Sequence, residues 1–184
     1  MPRLIPITHL EQVQPGGEAD FEALVRSRGQ INAPQSMIMY APAIASRATE
    51  LNDALRASLS KHDYEVAVLI AAREYPIEFV WSAHVPTARE EGVNDEVIEA
   101  IRMGGPLTAA SKREQVIIQI GRELVGAVRV LSQETFDAAR AELGEKTLIE
   151  IMMTMGYYLM IGCVLIGTAY EPRPNAPLLP NLSH

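Results

Sequence analysis

Cysteine is almost missing from this 184-residue sequence, which contains only Cys163. A single cysteine excludes an internal disulfide, a CxxC redox pair and a cysteine-rich zinc site. Positive charge is also scarce, because 16 Lys and Arg face 23 Asp and Glu and never form a basic block. A nucleic-acid-binding surface normally carries such a block. We therefore expect no nucleic-acid partner.

Strand patterns, repeats and low-complexity tracts are missing too, whereas helix-start signals recur. Hydrophobic residues make up 48% of the chain, which favours a folded core over disorder. Residues suited to cap a helix precede the apolar stretches, with a carboxylate following in most cases; they are Ser60, Asn94, Ser111 and Ser132. The sequence predicts an all-α fold in one domain, residues 1–184.

The pattern of caps, prolines and glycines sets the expected element boundaries. Residues 1–18 are expected to form an irregular arm, and the Pro-rich residues 171–184 an extended tail. A short helical turn is expected between Pro34 and Pro42. Longer helices are predicted over residues 21–28, 43–59, 61–73, 76–91, 95–103, 112–128, 133–143 and 145–170. Pro76 suits the first position of its helix, and Gly92 suits the position after the end.

One segment, residues 151–170, carries no charge and is about as long as a membrane span. Its glycines, threonines and tyrosines make it only moderately apolar, and Glu150 and Glu171 flank it without a basic cluster. We favour a buried central helix over a membrane anchor. No apolar secretory segment follows Met1, so a cytoplasmic location is expected.

A domain of this size has limited interior in which to cover so apolar a helix. The tail adds three further leucines that need a contact surface: Leu178, Leu179 and Leu182. We therefore expect a homo-oligomer, with dimer, trimer and hexamer not separated by the sequence.

The residues best suited to chemistry fall on two neighbouring helices. Helical spacing places Trp81 on the same side as Glu78 and His84. Glu65 lies one helix upstream in an apolar run. An unpaired buried carboxylate favours its protonated form, which makes Glu65 a candidate proton carrier. Each residue also has a structural interpretation.

Glu65 and Glu78 could simply complement the dipole of a first helical turn. His84 could be a structural histidine and Trp81 a core residue. Pro86, inside the same helix, predicts a kink that either opens a cleft near His84 or bends the helix around its core.

Residues 60–98 resemble the carboxymuconolactone decarboxylase family, relatives of alkylhydroperoxidase D (AhpD). The shared pattern is an early Glu, then Glu, an aromatic residue, Trp and His at fixed spacing, then a glycine turn and an acidic helix start. The matching residues are Glu65, Glu78, Phe79, Trp81, His84, Ala88, Gly92, Val93, Asp95, Glu96 and Ile98. Weaker similarity extends over residues 35–170, including Gly156-Tyr157-Tyr158.

The resemblance implies an all-helical AhpD-like bundle that assembles into oligomers. The peroxidase branch of the family carries a CxxC motif just before the histidine, where this chain has Ile77 and Val80. A thiol mechanism needs a reactive and a resolving cysteine. The resemblance therefore indicates the cofactor-free, decarboxylase-like branch, a lyase of aromatic-compound catabolism, rather than a peroxidase.

In that interpretation, His84, Glu65 and Glu78 are the catalytic residues and Trp81 forms a wall of the substrate pocket. The substrate is a small carboxylated or cyclic keto or lactone compound, and decarboxylation needs a proton donor and a site for enolate charge. Arg73 and Arg89 are the cations nearest in sequence.

Two other functions stay open. One is a non-enzymatic oligomeric module, which a closed and mutually hydrogen-bonded cluster would favour. The other is metal binding by Glu65, Glu78 and His84, which lack the usual short ligand spacings. We expect neither a cofactor nor a metal.

Overall fold

The computed structural model describes residues 2–172 and 178–180, and within them the chain is all-helical, with no strand. A short 3₁₀ turn spans Leu10–Gln12. The helices are α1 (Glu18–Arg28), α2 (Gln35–Ile38), α3 (Pro42–Ser58), α4 (Lys61–Glu74), α5 (Glu78–Glu90), α6 (Asp95–Met103), α7 (Lys112–Leu124) and α8 (Gln133–Gly167). The predicted fold class is confirmed.

The predicted helix caps are present. The side chains of Ser60, Asn94, Ser111 and Ser132 each accept a hydrogen bond from a backbone N–H in the first turn of the helix that follows. The break between the last two predicted helices is also present, because α8 has a non-helical residue at Gly144 with φ 76°. The sequence signals for helix starts were therefore accurate, since they depend on neighbouring residues alone.

Four predicted boundaries were wrong. One is the end of α8, at Gly167 and not at residue 170. Helix α1 begins at Glu18, three residues earlier than the predicted start. Helix α5 begins at Glu78, so Pro76 precedes it instead of occupying its first position. Helix α7 ends at Leu124, and the exposed Val128 lies in the following loop. Pro86 lies within α5, which continues through it to Glu90.

Helix α4 is the centre of the molecule. It packs against α5, α7 and α8, and ten successive residues, 63–72, are buried. Two glycines allow this close packing. A Cβ at Gly121 of α7 would lie 2.6 Å from Ile70, and one at Gly162 of α8 would lie 2.5 Å from Ile77. Gly144, Gly156 and Gly167 have nothing within 4 Å of an added Cβ, so of the four glycines in α8 only Gly162 makes a close contact, with Ile77 just before α5.

A second, smaller apolar cluster lies among α1, α2, α3 and the N-terminal arm. It contains Ile7, Phe21, Leu24, Ile31, Met39 and Ala45. Ile38 packs against both this cluster and the main core. The N-terminal helices therefore form a layer over the central bundle, and the arm contributes buried Ile7 as well as a 3₁₀ turn to it.

The described part of the C-terminal tail is attached to the bundle. Leu179 is buried in the main core, and its backbone N–H donates to Glu78 Oε2 at 3.1 Å. Leu178 is half exposed, and its carbonyl accepts from Arg102 Nη1 at 3.4 Å. Leu182, which was expected to make a contact, lies outside the described residues.

Helix α8 is long and apolar enough to cross a membrane by length and composition, yet 44% of its most apolar window is buried within the protein. The exposed face carries Ile149, Met153 and Met160, each more than 40% exposed. Their spacing places them on one side of the helix. A stripe of contiguous exposed apolar side chains is typical of surfaces that contact another protein.

We expect the stripe to be covered by another copy of the chain. A Met153→Glu, Met160→Glu double variant should lower the mass measured by light scattering at micromolar concentration, because charge on this face opposes helix pairing. The wild-type mass should be a multiple of 20.2 kDa. The matched control is Val128→Glu, which adds charge to an exposed apolar loop residue and should leave the mass unchanged.

A folded wild-type monomer would contradict this expectation, and so would recovery of the protein in the membrane fraction on cell fractionation.

Candidate functional site

The site is built around the carboxylate of Glu65. Ser60 caps α4, so Glu65 falls at the start of the fully buried part of that helix and is only 1% exposed. Its Oε2 lies 2.7 Å from Nδ1 of His84, and its Oε1 lies 3.4 Å from Nη2 of Arg56. A buried charge requires partners of this kind. Helices α5 and α3 supply one each.

His84 is bonded through both ring nitrogens. Its Nε2 lies 3.1 Å from the hydroxyl of Tyr158 on α8, which in turn lies 2.8 Å from the hydroxyl of Tyr64 on α4. The Tyr64 hydroxyl donates to Oδ1 of Asn52 at 2.5 Å. A continuous hydrogen-bonded chain therefore runs from Glu65 through His84 and two phenols to α3.

The hydrogen bonds along this chain can be oriented in either of two directions. If Tyr64 donates to Asn52, then Tyr158 donates to Tyr64, and His84 donates from Nε2 to Tyr158. The proton between Nδ1 and Glu65 is then either a second imidazole proton or the proton of the carboxyl group. In the opposite direction, Tyr158 donates to Nε2, and Nδ1 of His84 donates to Glu65. Reversal also requires the Asn52 amide to turn its nitrogen toward Tyr64. Such a chain can move a proton along its length.

Burial keeps the phenols protonated. It raises the pKa of Tyr158 well above its usual value and that of Tyr64 to about 12. Desolvation likewise raises the pKa of Tyr157, the neighbour of Tyr158 on α8. At neutral pH these hydroxyls are neutral groups that donate hydrogen bonds.

A cavity of about 220 Å³ lies beside the chain, between the N-terminal layer and helices α5 and α8. The side chains of His84 and Tyr158 reach its wall, and His84 is 15% exposed. The aromatic rings of Phe79 and Tyr157 line it as well. The polar side chains there include Arg28, Asn52 and Arg56. A small molecule in this cavity would contact the imidazole and the phenol.

Of the four predicted site residues, the structure brings Glu65 and His84 together. Glu78 lies apart from them in a different groove, where its carboxylate accepts from the backbone of Leu179. Glu78 is also the acidic residue in the first turn of α5, as its structural interpretation predicts.

Trp81 does not form a wall of the cavity, contrary to expectation. It is completely buried in the main core, because the side of α5 that carries it faces the bundle and not the N-terminal layer. Its indole N–H has no hydrogen-bond partner among the described residues. Phe79, Tyr157 and Tyr158 supply the aromatic surface that was assigned to Trp81.

The two arginines nearest in sequence also point elsewhere. Arg73 donates to the carbonyl of Arg102, and Arg89 donates to Asp95. The cations at the cavity are Arg28 and Arg56, which come from the last turns of α1 and α3. The sequence pattern singled out neither arginine, and it did not indicate Tyr158 as a site residue. Only the adjacent tyrosines of an otherwise apolar helix were a signal.

Neither a metal cluster nor a thiol pair lies at this site. Within residues 2–172 and 178–180, no three His, Cys, Asp or Glu side chains form a group that could hold a metal ion. Cys163 is exposed, and its Sγ lies 3.4 Å from the hydroxyl of Tyr75. Val80 lines the cavity and Ile77 is buried.

Comparison of the sequence with protein-family models and with curated proteins gave no match. Solved structures do match. One is a protein of unknown function from Agrobacterium tumefaciens, assigned provisionally as the antioxidant defence protein AhpD. It has a TM-score of 0.68 and 14% identity, over 74% of this chain and 94% of that one.

Two further structures match nearly the whole chain. A cysteine-to-alanine variant of the debrominase Bmp8 in complex with 2,3,4-tribromopyrrole has a TM-score of 0.73 and 14% identity, over 95% of each chain. An uncharacterized peroxidase-related protein from a Silicibacter species has a TM-score of 0.70 and 16% identity, over 94% of each chain. The chain therefore has the AhpD-like fold that its motif predicted.

Proposed function

We propose that the protein is a cofactor-free enzyme that transfers a proton to or from a small carboxylated or cyclic keto or lactone compound. The observation that carries this proposal is the position of His84 at the cavity wall, bonded to Glu65 through one ring nitrogen and to Tyr158 through the other. A histidine oriented by a carboxylate is the common form of a general acid or base.

The chain of hydrogen bonds supports a specific sequence of steps. Charge that develops on a substrate oxygen, as an enolate forms, is stabilised by the neutral phenol of Tyr158. His84 starts this step as an imidazolium, with the Nδ1 proton donated to Glu65 and the Nε2 proton donated to Tyr158. Tyr158 donates its own proton to the substrate and takes the Nε2 proton. The imidazole is left neutral and regains its proton from solvent at the end of the cycle. Glu65 keeps the imidazole in one orientation and stabilises its charged form. In a decarboxylation, the electron pair of the broken C–C bond forms the enolate, and the proton ends on the carbon that lost CO₂.

One of the similar structures supports the choice of a small cyclic substrate. One of them is named as a debrominase and contains a brominated pyrrole, a small aromatic ring. Its chemistry is not transferred to this chain, because the fold likeness stands at 14% identity. The cavity of this chain has room for a ring of similar size. The proposed activity is therefore that of a lyase in the catabolism of aromatic compounds.

If the protein were a non-enzymatic module, its polar cluster should be closed to solvent. The opening of the cavity onto His84 favours the enzyme instead, since a purely structural histidine needs no adjoining space. We expect the enzyme to work as a cytoplasmic homo-oligomer.

Replacing His84 with Ala or Glu65 with Gln should reduce proton transfer by roughly 10²–10⁴-fold, the usual contribution of a general acid or base. The measurement is mass spectrometry of deuterium uptake from D₂O into a panel of small keto acids and lactones. The wild-type protein should catalyse exchange at the carbon next to the carbonyl of one or more of them.

His62→Ala is the matched control for this experiment. His62 also pairs with a buried carboxylate, that of Glu114 at 3.1 Å, but it does not line the cavity. Its loss should leave exchange unchanged. Near-full exchange by folded His84→Ala and Glu65→Gln proteins would refute the proposed function, and so would a wild-type protein that exchanges none of the panel.

Alkaline pH should destabilise the protein through its buried phenols. Because the folded pKa of Tyr64 is raised to about 12 and that of Tyr158 lies well above 10, the folded state retains protons that the unfolded state loses near pH 10. This stabilising contribution is complete below pH 10 and is lost as the pH rises toward the folded values. Each phenol should lower the free energy of unfolding by about 1.4 kcal/mol per pH unit in that window.

Urea denaturation between pH 9 and pH 11.5 measures this slope. Tyr158→Phe should reduce the slope by the contribution of one phenol. Tyr40→Phe, which changes an exposed tyrosine, is the control and should leave the slope unchanged. Equal slopes for the wild type and Tyr158→Phe would show that Tyr158 ionises as readily in the folded state as in the unfolded one.

A further inference from the structure

We propose that Arg28 and Arg56 form an anion-binding subsite that holds a carboxylate of the substrate throughout the reaction. This inference rests on the proposed function of the cavity and extends it, because it assigns the substrate a second group that binds but does not react. Neither arginine belongs to the motif that suggested the fold.

The charge of the cavity lining points to an anion. Arg28, Arg56 and His84 reach its surface, whereas no Asp or Glu lies among the described residues that line it. The whole chain has a net charge of −7. A cavity with two guanidinium groups and no carboxylate is therefore unlike the rest of the protein surface, and it would attract a negatively charged ligand.

The carboxylates that accompany these arginines are turned away from the cavity. Arg28 pairs with Asp53, and Arg56 pairs with Glu65. Both acids instead line a neighbouring depression on the other side of Arg56. Each acid therefore contacts its arginine without lining the cavity, whereas both arginines line it.

Arg56 retains capacity for a further partner. Its contact with Glu65 is long, at 3.4 Å, and its side chain is 43% exposed. Its guanidinium lies over the ring of Tyr64, 4.9 Å from the centroid, which orients the planar group. A guanidinium has five N–H donors in a fork that matches a carboxylate. One weak bond to Glu65 leaves most of these donors available.

The subsite lies within reach of the reacting groups. Glu65 contacts Arg56 with one oxygen and His84 with the other, so a single carboxylate separates the cation from the imidazole. The cavity of about 220 Å³ is smaller than typical drug-sized pockets. A carboxylated ring would place its anion at Arg56 and its other side near His84 and Tyr158.

A carboxylate bound in this way is retained. Two guanidinium groups stabilise the anion in the ground state, and its loss as CO₂ would move that charge away from them, so the interaction would oppose the reaction. The group of the substrate that reacts is therefore a different one, which lies next to His84 and Tyr158. The substrate class is a ring or short chain with one anchoring carboxylate and a separate keto, lactone or second carboxyl group.

The test uses benzoate and benzamide, which have nearly the same shape but differ in charge. Binding to the purified oligomer is measured by calorimetry. Benzoate should bind at least tenfold more tightly than benzamide, and its affinity should fall as ionic strength rises. Arg56→Gln and Arg28→Gln should each weaken benzoate binding by about tenfold or more, with little effect on benzamide, because a charged hydrogen bond is lost.

Arg47→Gln is the matched control, since Arg47 lies on α3 with Arg56 but is exposed and donates to the carbonyl of Ala43. It should bind benzoate as the wild type does. Should a glutamine variant not fold, Arg28→Lys and Arg56→Lys keep the charge and lose the fork, and they should bind benzoate with reduced affinity.

Equal affinity for benzoate and benzamide, or unchanged benzoate binding by folded Arg28 and Arg56 variants, would overturn the subsite. The deuterium-exchange experiment fails independently of this one. Benzoate binding that depends on both arginines, in a protein that exchanges no substrate proton, would refute the proposed reaction and keep the subsite.

Discussion

The burial of Glu65 is the constraint on which the arrangement of the site depends. A carboxylate that is 1% exposed must be compensated by hydrogen-bond donors. Helix α4 places it in the interior because the helix is surrounded by others on all sides. Its two oxygens then determine where α5 must present His84 and where α3 must present Arg56. One buried charge thus connects three helices that are separate in sequence.

The same constraint links stability to chemistry. Pairing with Glu65 leaves the other nitrogen of His84 facing Tyr158, and burial keeps that phenol neutral. The groups that hold the bundle together at this point are therefore the groups that can pass a proton to a ligand. The cavity beside them exists because the N-terminal layer covers α5 and α8 without filling the space between them.

The helices of this chain follow a known arrangement, whereas its chemistry depends on the residues at its cavity. The helices follow the AhpD-like arrangement over nearly the whole chain, as two solved structures show. Ile77 and Val80 precede His84 without a thiol, and Cys163 is exposed on α8. What remains at the cavity is a set of acid–base groups and cations, which changes the available chemistry without changing the scaffold.

The sequence by itself determined the all-helical class and the helix starts at Ser60, Asn94, Ser111 and Ser132. The family motif also singled out Glu65 and His84, but their pairing is known only from the tertiary structure. Capping depends on residues within one turn, so local patterns suffice. Only the tertiary structure decided that Arg28, Arg56 and Tyr158 face the cavity while Trp81, Glu78, Arg73 and Arg89 do not. The spacing of residues along one helix shows which of them share a face. Which neighbouring helix or cavity that face meets depends on how the helices pack.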